Sequence, residues 1–151
     1  MGAFRTAVIL EILANISSII PLILNPDFAL SFLVTGPSQI TPATRTLARY
    51  FGGFVATITV PLLLSIPTPA PGPAGEAQRG TRRTTYLTLG AGEVALGGLM
   101  AWAYATGADS GMTDMALLGG AMNLGAFLIM RYVFLFGKPE LLEERGVKKT
   151  A

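Results

Sequence analysis

The chain has 151 residues, of which 51% are hydrophobic and 13% charged, with a net charge of +2 and a mean hydropathy of +0.55. An ordinary soluble domain carries about 25% charged residues, so lipid must replace water along much of this chain, and the small, scattered positive charge excludes a nucleic-acid partner. There is no cysteine and no histidine, which rules out disulfides, thiolate nucleophiles and the commonest metal ligands and general bases; no metal and no cofactor is expected.

Taken in order, four segments are long and apolar enough for a bilayer core that needs roughly 20 helical residues. The first is about 6–24, "TAVILEILANISSIIPLIL". A short apolar segment follows at about 27–35, with Asp27 as its cap, stopping at Gly36-Pro37; it is either an interfacial helix or a lid over a membrane cavity. The second span covers about 47–66, entered through Thr41 as N-cap and Pro42 at the first helical position. A proline-rich linker at 67–83 separates it from a third span at about 84–106. The fourth span is about 114–136, with Thr113 and Asp114 as cap candidates, and 137–151 form a tail. The fold class expected is all-α, a single-domain integral membrane four-helix bundle.

Basic residues on the connections set the orientation. Arg5, Arg79, Arg82, Arg83, Lys138, Arg145, Lys148 and Lys149 fall on one side, and only Arg45 and Arg49 on the other. By the positive-inside rule the N- and C-termini are cytosolic. A cleaved signal peptide is the rival reading of the first span, but Glu11, Asn15 and Pro21 interrupt its apolar region. Lysines third and fourth from the end, in "KKTA", resemble the dilysine retrieval signal of endoplasmic-reticulum membrane proteins and predict that location.

The polar residues inside the spans cluster by depth. At about 1.5 Å per residue from the cytosolic ends, Glu11 and Arg131 lie about 8–9 Å down, Glu93 and Asn15 about 14–15 Å down, and Asn123 slightly deeper. A charge at a helix centre costs about 2.5–3.5 kcal/mol on insertion scales, so partners are expected. Equal depth makes Glu11 and Arg131 the expected ion pair. Gly90, Gly97, Ala101 and Ala105 flank Glu93 with a small-residue stripe, and Gly119, Asn123, Phe127 and Arg131 form a ladder at four-residue steps. The first, third and fourth spans are therefore expected to enclose Glu93 between Asn15 and Asn123, with Thr57 and Thr59 from the second. In that setting Glu93, with amides around it and no cation, is the candidate proton donor, and Glu11 the supporting carboxylate. Asn15, Asn123, Arg131 and Thr57 are the candidate substrate-binding residues. The bland alternative is that the same groups only bond the helices together.

The layout of four spans with cytosolic ends, and the stretch "TRTLARYFGGFVATITVPLLL", resemble the DoxX-like group of small membrane proteins. That resemblance implies the bundle but no catalytic residues. A second comparison, with the emopamil-binding sterol isomerases, is set aside by the missing histidine and the short chain. Three functions are open on these residues: acid–base isomerisation or cyclisation of a lipophilic small molecule, a non-catalytic membrane subunit or scaffold, and a proton or ion pathway, which would require oligomerisation because four short helices leave little room for a pore. The partners expected are membrane lipids, a lipophilic molecule under the first reading, and a homo- or hetero-oligomer.

Overall fold

The computed structural model describes residues 2–67, 69, 72–107 and 109–143, and these are all helical or connecting, without strands. Lys148 and Lys149 lie outside the described residues. Helix α1 is Ala3–Leu24, α2 Pro26–Leu33, α3 Pro42–Ser65, α4 Pro73–Thr106, α5 Asp114–Tyr132 and α6 Pro139–Glu143, with a single π-helical turn at Val133–Gly137 between the last two. Among the described residues three segments are long and apolar enough to cross a membrane: α1, α3, and α5 with its π turn. Only 22%, 28% and 17% of their apolar stretches is buried inside the bundle, so most of their Leu, Ile, Met and Phe surface faces outward and requires a hydrocarbon environment. Helix α4 is not in that set, because Glu93 and its many Gly and Thr residues dilute its hydropathy.

The helix starts follow from local chemistry. Thr41 closes a capping box with Thr44 ahead of Pro42, and the Thr113 hydroxyl accepts from the Ala116 N–H at 3.1 Å. Asn25, not Asp27, caps α2, accepting from the Phe28 N–H at 3.3 Å. Asp27 instead pairs with Arg45 Nε at 2.5 Å and ties α2 to α3. The proline-rich linker is shorter than expected: the chain is helical from Pro73, where proline at the first position costs no hydrogen bond. At 34 residues α4 is about 51 Å long, well beyond a hydrocarbon core of about 30 Å. Its first three turns carry Arg79, Arg82 and Arg83 as helix residues.

The long helices run up and down in sequence, packed chiefly as two antiparallel pairs, α1 with α3 and α4 with α5. Gly52 sets the first pairing: a Cβ there would lie 2.8 Å from Ile23 Cγ1 and 3.0 Å from Leu22 Cβ, so only glycine admits this approach. The pairs join at both ends. At one end Phe4, Val8, Ile12, Leu62, Tyr86 and Phe134 form a common core. At the other, Thr113 N–H donates to the Leu33 carbonyl at 2.8 Å and Thr35 N–H to the Gly111 carbonyl at 3.1 Å. The helix after α1 is therefore pinned to the α4–α5 connection, as the Val34–Met112 bridge also shows.

Candidate functional site: a buried carboxylate–guanidinium–carboxylate triad

Helix periodicity brings three charges together. On α1, Phe4, Val8, Glu11 and Asn15 share one face. On α4, Tyr86, Gly90 and Glu93 share another, and α5 faces them with Leu124, Leu128 and Arg131. The Arg131 stem crosses α4 at Gly90, where a Cβ would make an ordinary contact with Arg131 Cδ at 3.5 Å.

Arg131 is the hub. Its Nε donates to both oxygens of Glu93, at 2.8 and 2.9 Å, and its Nη2 lies 2.7 Å from Glu93 Oε1. The same Nη2 donates to Glu11 Oε1. Side-chain exposures of 2% for Arg131, 5% for Glu11 and 9% for Glu93 place all three out of reach of bulk water. The expected Glu11–Arg131 pair is therefore present. The environment expected for Glu93 is corrected: in place of amides and no cation, it has a guanidinium bound to both of its oxygens. A carboxylate held this way is a charge-assisted acceptor, not a free proton donor.

Three buried polar atoms around the hub have no hydrogen-bond partner among the described residues: Glu11 Oε2, Arg131 Nη1 and the Tyr86 hydroxyl. The Arg131 guanidinium stands 4.7 Å from the Tyr86 ring centre. Tyr86 in turn packs on Phe4 at a tilt, with ring centres 5.2 Å apart, and the Arg82 guanidinium stands over the Phe4 ring at 4.4 Å. Two guanidinium groups and two aromatic rings thus form one contact cluster at the apolar end of the bundle. Arg82, expected on the linker ahead of the third span, is fully buried. It donates to the carbonyls of Ser65 at 3.0 Å, Pro67 at 2.6 Å and Leu142 at 2.9 Å. Those bonds satisfy helix-end carbonyls that would otherwise lack partners. Nothing in an Arg-Arg pair such as Arg82-Arg83 tells which side chain turns inward; the four-residue spacing from Arg82 to Tyr86 to Gly90 is the signal that was available.

The other expected site residues do not converge on Glu93. Asn15 Nδ2 donates to Thr59 Oγ1 at 2.9 Å, joining α1 to α3. Thr57 is exposed and its hydroxyl returns to the Gly53 carbonyl of its own turn at 2.9 Å. Asn123 is exposed on the outer face of α5, and its side chain makes no hydrogen bond among the described residues. The physical reason is helical drift: each four-residue step turns the ladder by about 40°. A line from Gly119 through Asn123 to Arg131 therefore winds off the face that α4 sees.

Two cavities lie away from the triad, and none of its residues lines either. The larger, of about 380 Å³, lies between α3 and α4, with Ile58 and Pro61 on one wall and Thr81, Thr84, Thr85 and Thr88 on the other. The smaller, about 220 Å³, is bounded by Arg79, Arg83, Phe134 and Pro139. No group of metal-ligating side chains occurs among the described residues. Compared with protein-family models, with curated proteins and with solved structures, the chain matches none. The class defined by fold and site is a multi-pass helical membrane protein with a buried charge triad.

Proposed function

We propose that the protein is a four-span membrane protein with both ends in the cytosol, acting as a non-catalytic membrane subunit or scaffold whose intramembrane charges clamp its helices. The observation that carries this reading is the occupancy of Arg131: one guanidinium holds carboxylates from two other helices, and Glu93 has no oxygen to spare. Asn15–Thr59 does the same between α1 and α3. Polar groups that only join helices are ordinary in bilayers. The basic-residue asymmetry supports the orientation, the dilysine pattern supports the endoplasmic reticulum, and the helix layout supports kinship with the DoxX-like group.

The topology is directly testable because the chain has no cysteine. Single cysteines at Glu76, Asp109 and Lys138 are probed with a membrane-impermeant maleimide after selective opening of the plasma membrane. Positions 76 and 138 are expected to label and 109 only after the endoplasmic-reticulum membrane is opened as well; labelling of 76 and 109 from one side sinks the four-span reading. Changing Lys148 and Lys149 to Ser is expected to release the protein from the endoplasmic reticulum, and unaltered location removes that address.

A second reading is favoured by the cavity between α3 and α4. Its volume falls in the range of small-molecule sites, about 300–1,000 Å³, and a row of threonine hydroxyls faces an aliphatic wall. A lipophilic molecule with a hydroxyl or carbonyl head fits it, without chemistry at the triad. Mass spectrometry of lipid extracts from purified protein tests this: one molecule retained by the parent and lost in Thr85→Leu supports it, and equal, unselective lipid in both ends it.

A further inference from the structure

The triad places two carboxylates on one guanidinium, one negative charge in excess, with side-chain exposures of only 2% for Arg131, 5% for Glu11 and 9% for Glu93. Like-charged carboxylates that share a desolvated site do not both stay ionised, and an uncompensated buried charge is far more costly than a proton. The groups facing Glu11 are Arg131 from α5 and Glu93 and Tyr86 from α4. Arg82 stands over the Phe4 ring that also packs on Tyr86, and its N–H groups go to the carbonyls of Ser65, Pro67 and Leu142. Helix α3, packed on the same helix, carries ionisable side chains only at Arg45, Arg49 and Tyr50, near its opposite end.

We infer that Glu11 is a proton-binding site: its carboxyl takes one proton from water on Oε2, and the triad is neutral in the folded protein. Geometry decides which glutamate carries it. Both Glu93 oxygens accept from Arg131 Nε, and Oε1 also lies against Nη2, so a proton on Glu93 would displace a charge-assisted bond. Glu11 spends only Oε1 on Arg131, and its Oε2 is buried without a partner among the described residues. That oxygen is where an O–H replaces a bare lone pair at no loss of existing bonds. The Tyr86 hydroxyl, also buried without a partner among the described residues, supplies an oxygen able to accept at this corner, which Arg131 Nη1, a donor only, does not. The inference rests on the triad acting as the helix clamp proposed above.

Infrared spectroscopy of the full-length protein in lipid vesicles at neutral pH reads the proton directly, whatever the variants of Arg131 do to stability. A carbonyl stretch of a protonated carboxylic acid, shifted in D2O and by 13C-glutamate labelling, is expected in the parent. It should be absent in Glu11→Gln and retained in Glu93→Gln. A second readout guards against misfolding: glutamine is the neutral stand-in for a protonated glutamate. Glu11→Gln is thus expected to keep the unfolding equilibrium within about twofold, whereas Glu93→Gln loses about tenfold or more, the worth of a charged hydrogen bond. No such band in the parent, a band that disappears in Glu93→Gln but persists in Glu11→Gln, or a Glu11→Gln protein as weakened as Glu93→Gln would each overturn the assignment.

Discussion

Replacing Arg131 with methionine tests the clamp at its hub. Methionine refills the stem that crosses Gly90 but deletes Nε, which serves both Glu93 oxygens at 2.8 and 2.9 Å, and Nη2, which serves Glu11 and Glu93 together. Breaking a buried ion pair by removing one partner costs about 3–5 kcal/mol, because the other charge is left uncompensated. Loss of the guanidinium over Tyr86, at 4.7 Å, removes roughly 1–2 kcal/mol more where the pair is desolvated. Protonation of the abandoned carboxylates returns part of this, so about 3–5 kcal/mol is the net expectation. At about 1.4 kcal/mol per tenfold, the folding equilibrium falls roughly a hundred- to several-thousand-fold. Equilibrium unfolding in mixed micelles of rising SDS fraction, followed by ellipticity, measures it. Adding Glu11→Leu and Glu93→Leu should bring stability back to within about 1 kcal/mol of the parent, since apolar replacement of a whole buried ion cluster is near neutral. A single variant that loses less than about 1 kcal/mol, or a triple variant no better than the single, refutes the argument.

Other outcomes follow from the packing. A double-mutant cycle of Asn15→Leu and Thr59→Val is expected to give a coupling of about 0.6 kcal/mol, at most about 1.7, as interhelical bonds in bilayers do; zero coupling would mean that the 2.9 Å bond contributes nothing. Gly52→Ala should destabilise by about 1–3 kcal/mol through overpacking, since its Cβ would fall 2.8 Å from Ile23 Cγ1. Gly53→Ala, with open space around it, should be harmless, and equal effects at the two positions would show that α1 and α3 do not cross there. Arg82→Gln removes the fork that holds the carbonyls of Ser65, Pro67 and Leu142. Amide hydrogen exchange should then rise in 139–143 while the triad residues stay protected; no change would mean that α6 is held by its apolar contacts alone.

Depth along each helix was readable from the sequence, but azimuth was not, and that difference accounts for what was found and missed. Counting residues from the helix ends put Glu11 and Arg131 at one level, and they pair. The same count put Glu93 about 6 Å deeper than Arg131, which argued against a contact that exists. The missing ingredient is side-chain direction. Long side chains in a helix lean toward its N-terminus. Arg131 on α5 therefore leans away from the end of the bundle that holds Phe4 and Phe134, while Glu93 on the antiparallel α4 leans back toward it, and the two close the gap from opposite sides. Azimuth explains the other misses. Thr57 and Thr59 are adjacent in composition and depth, yet two residues on a helix differ by about 200°, so one bonds Asn15 and the other faces outward. The start of α4 at Pro73 was hidden for a different reason. Prolines and glycines at 67–75 signal a spacer by composition, but Pro at N1 begins a helix as readily as it ends one, and only Tyr86 and Arg82 packing on Phe4 and the Ser65 carbonyl selects between them. The hydrophobic pattern thus determines which residues enter the bilayer, while the pairing of charges within it is decided by reach and lean, quantities that belong to pairs of helices and not to either sequence alone.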